Sequence, residues 1–246
     1  MLSKSPSAGG EGEFDPTGRR PRWMLKVTFC GAAKLKKKQV EQVEFEDEEA
    51  EIKANGYTAI SYPMDSAERL FKEAGKKLKD PQPSPNRKWS LRDRKRISWH
   101  VLVEYGRARF LQGYPASVEY IWLDEFCLSP EEVTDEEEVE KERRKELGIL
   151  ADIFRGAEQV LVFCARENCN HTSIECPWGQ RLFTIGEILH AEKVMTLTRR
   201  PREDGFWKLK PMGARNFKND MQRAAAEHRY FHLSTILQHA TNAGSS

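Results

Sequence analysis

Two apolar runs, separated by one amphipathic segment of helix length, constrain this chain more than any other feature. Gln159-Val-Leu-Val-Phe-Cys164 is continuous and β-prone, and Tyr120-Ile-Trp-Leu-Asp124 is a second such run that ends on a carboxylate. Unbroken apolar runs of this length are how strands buried on both faces read. Between them Leu147, Leu150, Ile153 and Phe154 recur at helical spacing, which predicts a helix over 137–157 with a charged, solvated entry. Strand, helix, strand with a crossover of that length implies parallel pairing.

The same alternation extends in both directions. Tyr57-Thr-Ala-Ile-Ser-Tyr62, stopped by Pro63, predicts a strand. Ala67, Leu70, Phe71, Ala74 and Leu78 predict a helix over 66–78, with Asp65 or Ser66 as its cap. Helices are expected over 97–111, 181–191 and 221–237, and a fourth strand over 193–198. Residues 80–97, with Pro81, Pro83, Pro85 and many basic side chains, read as a long surface loop. Trp23–Phe29 alternates apolar and polar, and Val40, Val43 and Phe45 do so less cleanly. These predict an N-terminal strand pair joined across Lys34–Lys38. The class is therefore α/β, a doubly wound and mainly parallel sheet with an N-terminal β extension and a C-terminal helix. The expected organisation is a disordered leader over 1–21, the strand extension over 22–56, the main domain over 57–198 and a helical extension over 199–246.

A hydrophobic fraction of 39% is enough for a core, and Lys+Arg 40 against Asp+Glu 38 leaves a net charge of only +2. That balance argues against a general nucleic-acid binder, and the alternating basic and acidic runs read as solvated faces. No stretch approaches the ~20 apolar residues of a membrane span, and the N-terminus lacks the apolar core of a signal peptide. A cytoplasmic protein is expected, with its five cysteines reduced. Neither Gly-x-Gly-x-x-Gly nor Gly-x4-Gly-Lys-Ser/Thr occurs, which disfavours a dinucleotide oxidoreductase and a P-loop NTPase.

Several positions stand out chemically. In α/β sheets ligands bind beyond the carboxyl ends of the strands, which puts Asp124, Cys164 and the segment after Tyr62 near one edge. Asp124 is suited to cap the next turn or to pair with Arg181. Glu187 points away from the stripe of Leu182, Ile185 and Leu189, the geometry of a carboxylate at a cleft rim or of an ordinary solvent-facing glutamate. Cys127 reads as a buried small hydrophobe. Cys164, Cys169, His171 and Cys176 supply four soft ligands in thirteen residues. Yet the Cys-x2-Cys knuckle spacing is absent and Cys164 ends a strand, so an ordered loop of thiols is expected there rather than zinc, and no metal or cofactor is assigned.

Three ordered blocks resemble the HET (heterokaryon incompatibility) family of fungal cell-death domains. Tyr57-Thr-Ala-Ile-Ser-Tyr62 is similar to its Tyr-x-Ala-Leu-Ser-Tyr block. Trp122-Leu-Asp124-Glu-Phe-Cys127-Leu is similar to Trp-Ile-Asp-Ala-Leu-Cys-Ile. Trp178-Gly-Gln-Arg181-Leu-Phe-Thr184-Ile-Gly-Glu187 is similar to Trp-x-x-Arg-x-Trp-Thr-x-Gln-Glu. The match covers about residues 57–195. Pro63-Met64 stands where the family has Trp-Gly, Ser129-Pro130 replaces an Asn-Gln or Asp-Gln pair, and Phe183 and Gly186 replace a Trp and a Gln, marking a divergent member.

The family is in turn similar in layout to TIR domains, which share the flavodoxin-like winding, act in innate immunity and cleave the nicotinamide–ribose bond of NAD. The resemblance implies Glu187 as the catalytic carboxylate, Tyr62, Asp65, Asp124 and Arg181 as substrate-binding residues, and NAD as substrate. It also implies a homo-oligomer or a protein partner as the trigger. The alternative it leaves open is a non-catalytic signalling module that self-associates and recruits partners.

Overall fold

A computed structural model of the chain describes residues 20–75, 90–128, 147–166, 176–179, 191–199 and 206–213, with a few single residues between and beyond them, among them 169, 187 and 188. Residues 1–19 of the expected leader, Arg181 and His171 lie outside the described residues, as does most of the helix expected over 221–237.

Seven strands among the described residues form one mixed sheet. They are β1 (Trp23–Phe29), β2 (Val40–Glu44), β3 (Tyr57–Ser61), β4 (Ser117–Trp122), β5 (Gln159–Phe163), β6 (Lys193–Arg199) and β7 (Trp207–Pro211), in the spatial order β2-β1-β4-β3-β5-β6-β7. The middle four, β4-β3-β5-β6, are parallel, and antiparallel pairs close both sides. All of β3 and the last four residues of β5 are buried, as their apolar runs require. The N-terminal strand pair is an antiparallel hairpin, as expected. Its first strand hydrogen-bonds to β4, so it belongs to the main sheet.

Five α-helices can be bounded among the described residues: α1 (Glu49–Asn55), α2 (Met64–Glu73), α3 (Leu91–Leu111), α4 (Asp124–Cys127) and α5 (Leu150–Gly156). The chain leaves β3 through α2 and α3 to reach β4 on one side. It then returns through α4 and α5 to β5 on the other side of β3. Right-handed crossovers running in opposite directions fall on opposite faces of the sheet. Side chains agree: the Tyr57 hydroxyl donates to the Ile153 carbonyl of α5, while the Tyr62 hydroxyl meets Ser98 of α3. Tyr57, Ala59 and Ser61 therefore face the α5 layer, and Thr58, Ile60 and Tyr62 the α3 layer. Edge-on packing of Trp122 against Phe154, 5.5 Å between centroids, fills the α5 side.

Several element boundaries differ from the sequence expectation, each for a local reason. The acidic run before β3 forms α1 because Ile52 can bury its side chain. Pro63, held at φ −76 and ψ 134, is the N-cap of α2, which places Asp65 and Ser66 inside the first turn rather than at the cap. The third helix starts at Leu91, not Ile97, since the Ser90 hydroxyl accepts the Asp93 amide and nucleates a turn through the basic run. Asp124 opens the short α4 instead of ending β4. The strand β7 lies in a Lys-rich stretch not expected to pair; Trp207 and Leu209 bury while Lys208 and Lys210 stay partly exposed. No helix among the described residues is long and apolar enough to cross a membrane.

Gly56 joins α1 to β3 at φ 69 and ψ −178, a region essentially restricted to glycine. A Cβ there would also meet the Glu158 side chain, its own Cβ only 2.7 Å away. Gly56→Ala is expected to destabilise the fold by about 1–3 kcal/mol. Urea denaturation beside wild type measures this, and an unchanged midpoint would contradict it.

Candidate functional site at the sheet switch point

The chain winds outward from β3 in both directions, so the switch point lies between β3 and β5. At the carboxyl ends of these two strands stand Ser61 and Cys164, and Trp178 and Glu187 both reach Ser61.

Ser61, Trp178 and Glu187 form one buried cluster. The Trp178 indole Nε1–H donates to Ser61 Oγ at 2.6 Å, and the Ser61 hydroxyl donates to Glu187 Oε2. A serine hydroxyl has one proton, so accepting from the indole leaves that proton for the carboxylate and sets the direction of the chain. Glu187 is 5% exposed. The helical-wheel reading placed it at an open rim, but its polar side meets the end of β3 rather than solvent. A wheel records one helix's own faces and nothing of what packs on the other side. A carboxylate withdrawn from water this far requires hydrogen bonds, and Ser61 supplies one.

Tyr62 and Asp124 form a second cluster on the α3 face. The Tyr62 hydroxyl lies 2.5 Å from Asp124 Oδ1 and 2.5 Å from Ser98 Oγ. Since its single proton goes to the carboxylate, Ser98 is the donor in the other bond. Asp124 Oδ1 also accepts the Glu125 amide at 2.7 Å. Alternation along the chain thus separates Glu187 and Asp124, which meet Ser61, the last residue of β3, and Tyr62, the next residue, from opposite faces. Of the other expected site residues, Asp65 is exposed in the first turn of α2.

Burial, reinforced by the charges of Asp124 and Glu125, holds the Tyr62 phenol well above its ordinary range, and burial likewise raises Tyr57 and Tyr105. The folded state keeps these protons after an unfolded chain loses them near pH 10, so their effect on stability is flat below about pH 10. Above it, stability is expected to fall by roughly 1.4 kcal/mol per pH unit for each tyrosine. Urea midpoints taken between pH 9 and 11 test this; a midpoint that does not fall above pH 10 would contradict it.

Cys164, Cys169 and Cys176 come together beside the first cluster, their sulfurs all within 4.8 Å of one another. Cys164 and Cys176 are buried and Cys169 is half-buried; none of the five cysteines is in a disulfide. Hydrogen bonds with Cys169 and then Cys176, together with burial, push the Cys164 thiol up. Cys127 is 1% exposed and packs in the core, as expected.

A separate cavity of about 650 Å³ opens on the α3 face. Lys37, Arg92, Lys95, Arg96 and His100 line it together with Trp99 and Phe126, and among the described residues that line it none is a carboxylate. Its potential therefore favours anions. The signal for it was present in the sequence: positions 92, 95, 96 and 99 share one helical face once the run is read as helix. Compared with known proteins, the chain matches no family model, no curated protein and no solved structure.

Proposed function

We propose that the chain is a divergent HET-type domain, TIR-like in layout, that acts in fungal incompatibility cell death by hydrolysing NAD at the nicotinamide–ribose bond. The observation that carries this reading is the hydrogen-bonded junction of Ser61, Trp178 and Glu187. These polar residues come from the first and last of the three resembling blocks, more than a hundred positions apart, and they meet at the switch point where α/β sheets bind ligands. Tyr62 and Asp124 likewise join the first block to the second. The four parallel strands, counted in chain order, lie 2-1-3-4, an order that supports the flavodoxin-like layout.

In the proposed reaction the C1′–N bond breaks with its electron pair going to nitrogen, so nicotinamide leaves neutral from a cationic ring. The oxocarbenium-like ribose then takes up a water at C1′ and releases one proton, giving ADP-ribose. Glu187 supplies negative charge to that state and orients the ribose hydroxyls or the water. No strong general acid is needed. Self-association or a protein partner is the proposed trigger.

The second reading is a non-catalytic signalling module, favoured by the burial of Glu187 and its use as acceptor for Ser61. Incubating the purified chain with NAD, with and without crowding or induced oligomerisation, and measuring free nicotinamide separates the two. Release supports the enzyme; its absence under every condition excludes it.

A further inference from the structure

We propose that Cys164, Cys169 and Cys176 ligate a structural zinc ion beside the switch point of the sheet. The distance between sulfurs carries the argument. Thiolates bound tetrahedrally to zinc at ~2.3 Å lie about 3.8 Å apart. Cys164 Sγ and Cys176 Sγ are 3.7 Å apart, and Cys169 Sγ lies within 4.8 Å of both. Three sulfurs converging from positions spread over thirteen residues is not how cysteines serve as packing. Cys127 illustrates that use, a single thiol in the core.

The surroundings fit ligation. The Arg166 backbone N–H lies 3.4 Å from Cys164 Sγ, in position to donate to it and to stabilise a ligating thiolate. Three soft donors with no oxygen ligand among them select zinc over magnesium or calcium. Three of the four tetrahedral positions are thereby assigned. The Cys-x2-Cys spacing absent from the sequence matters little here, because the three sulfurs come together in the fold without it.

Placement gives the ion a purpose. Cys164 follows β5 directly, and Cys176 stands two residues before Trp178, which donates to Ser61. An ion bridging them would clamp both ends of the intervening segment and hold the indole in place. This role does not depend on whether Glu187 is catalytic.

The test uses the full chain, purified under reductant without chelator. Elemental analysis is expected to find a single zinc per chain. Cobalt(II) added to metal-stripped protein should give thiolate charge-transfer absorption and tetrahedral d–d bands that zinc abolishes. Cys164→Ser, Cys169→Ser and Cys176→Ser should each weaken metal binding about 10-fold or more, and Cys30→Ser, at an exposed position, should leave it unchanged. Should either buried-site variant fail to fold, the half-buried Cys169→Ser, checked by circular dichroism, carries the comparison. Folded wild type that takes up neither metal overturns the assignment. So does binding untouched by Cys169→Ser, iron with labile sulfide in place of zinc, or a Cys164–Cys176 disulfide in zinc-free protein as isolated. None of these readouts involves NAD, so they stand or fall apart from the hydrolase reading.

Discussion

Glu187→Ala is expected to reduce nicotinamide release from NAD by at least about 100-fold, the usual cost of losing a group that stabilises transition-state charge. The same change removes the acceptor of a buried serine hydroxyl and is expected to cost about 1–3 kcal/mol of stability. Loss of activity in the alanine variant alone would therefore mix chemistry with folding. Glu187→Gln separates them, because its amide oxygen still accepts from Ser61 while the charge is gone. A glutamine variant as stable as wild type and as inactive as alanine assigns the loss to the carboxylate. Full activity in the glutamine variant would rule out a charge-based role. If no protein in the series releases nicotinamide and only the alanine variant loses stability, Glu187 is a structural acceptor and the signalling reading stands.

Trp178 should give the larger stability effect. Its side chain is wholly buried and is the donor that orients Ser61. Trp178→Ala is expected to destabilise by about 3–5 kcal/mol, the range for deleting a large aromatic side chain from a core. Trp178→Phe keeps most of the ring and loses the indole N–H, so about 0.5–1.5 kcal/mol is expected, because Ser61 can still donate to Glu187. Urea denaturation of the pair measures the difference. Equal costs would mean that the indole N–H, not ring volume, dominates this position. In the hydrolase reading Trp178→Phe also lowers turnover, since a less constrained Ser61 hydroxyl lets the carboxylate turn.

The parallel core was legible because its strands are buried on both faces and hydrophobicity alone marks them, as in Val160–Phe163 and Tyr57–Ser61. The edges were harder to read. The strand β7 alternates tryptophan and leucine with lysines, a pattern that becomes a strand only when β6 offers a partner, and helix propensity said nothing of how Ser90 would cap α3. Within the candidate site, residue types were legible and pairings were not. Glu187 and Asp124 could be named from their neighbours in sequence, but not the fact that Ser61 and Tyr62, one position apart, would take them on opposite faces.

The sequence by itself thus determined the α/β class and the parallel order of the middle strands, and it named Glu187 and Asp124 as candidates. These follow from local periodicity and from the cost of leaving apolar surface in water. Only the tertiary structure decided that Glu187 is buried against Ser61, that Asp124 belongs to Tyr62, and that three cysteine sulfurs come within 4.8 Å of one another. Those contacts join positions far apart in the chain. Their geometry is set by how the crossovers pack on the sheet, which spacing along a sequence does not encode.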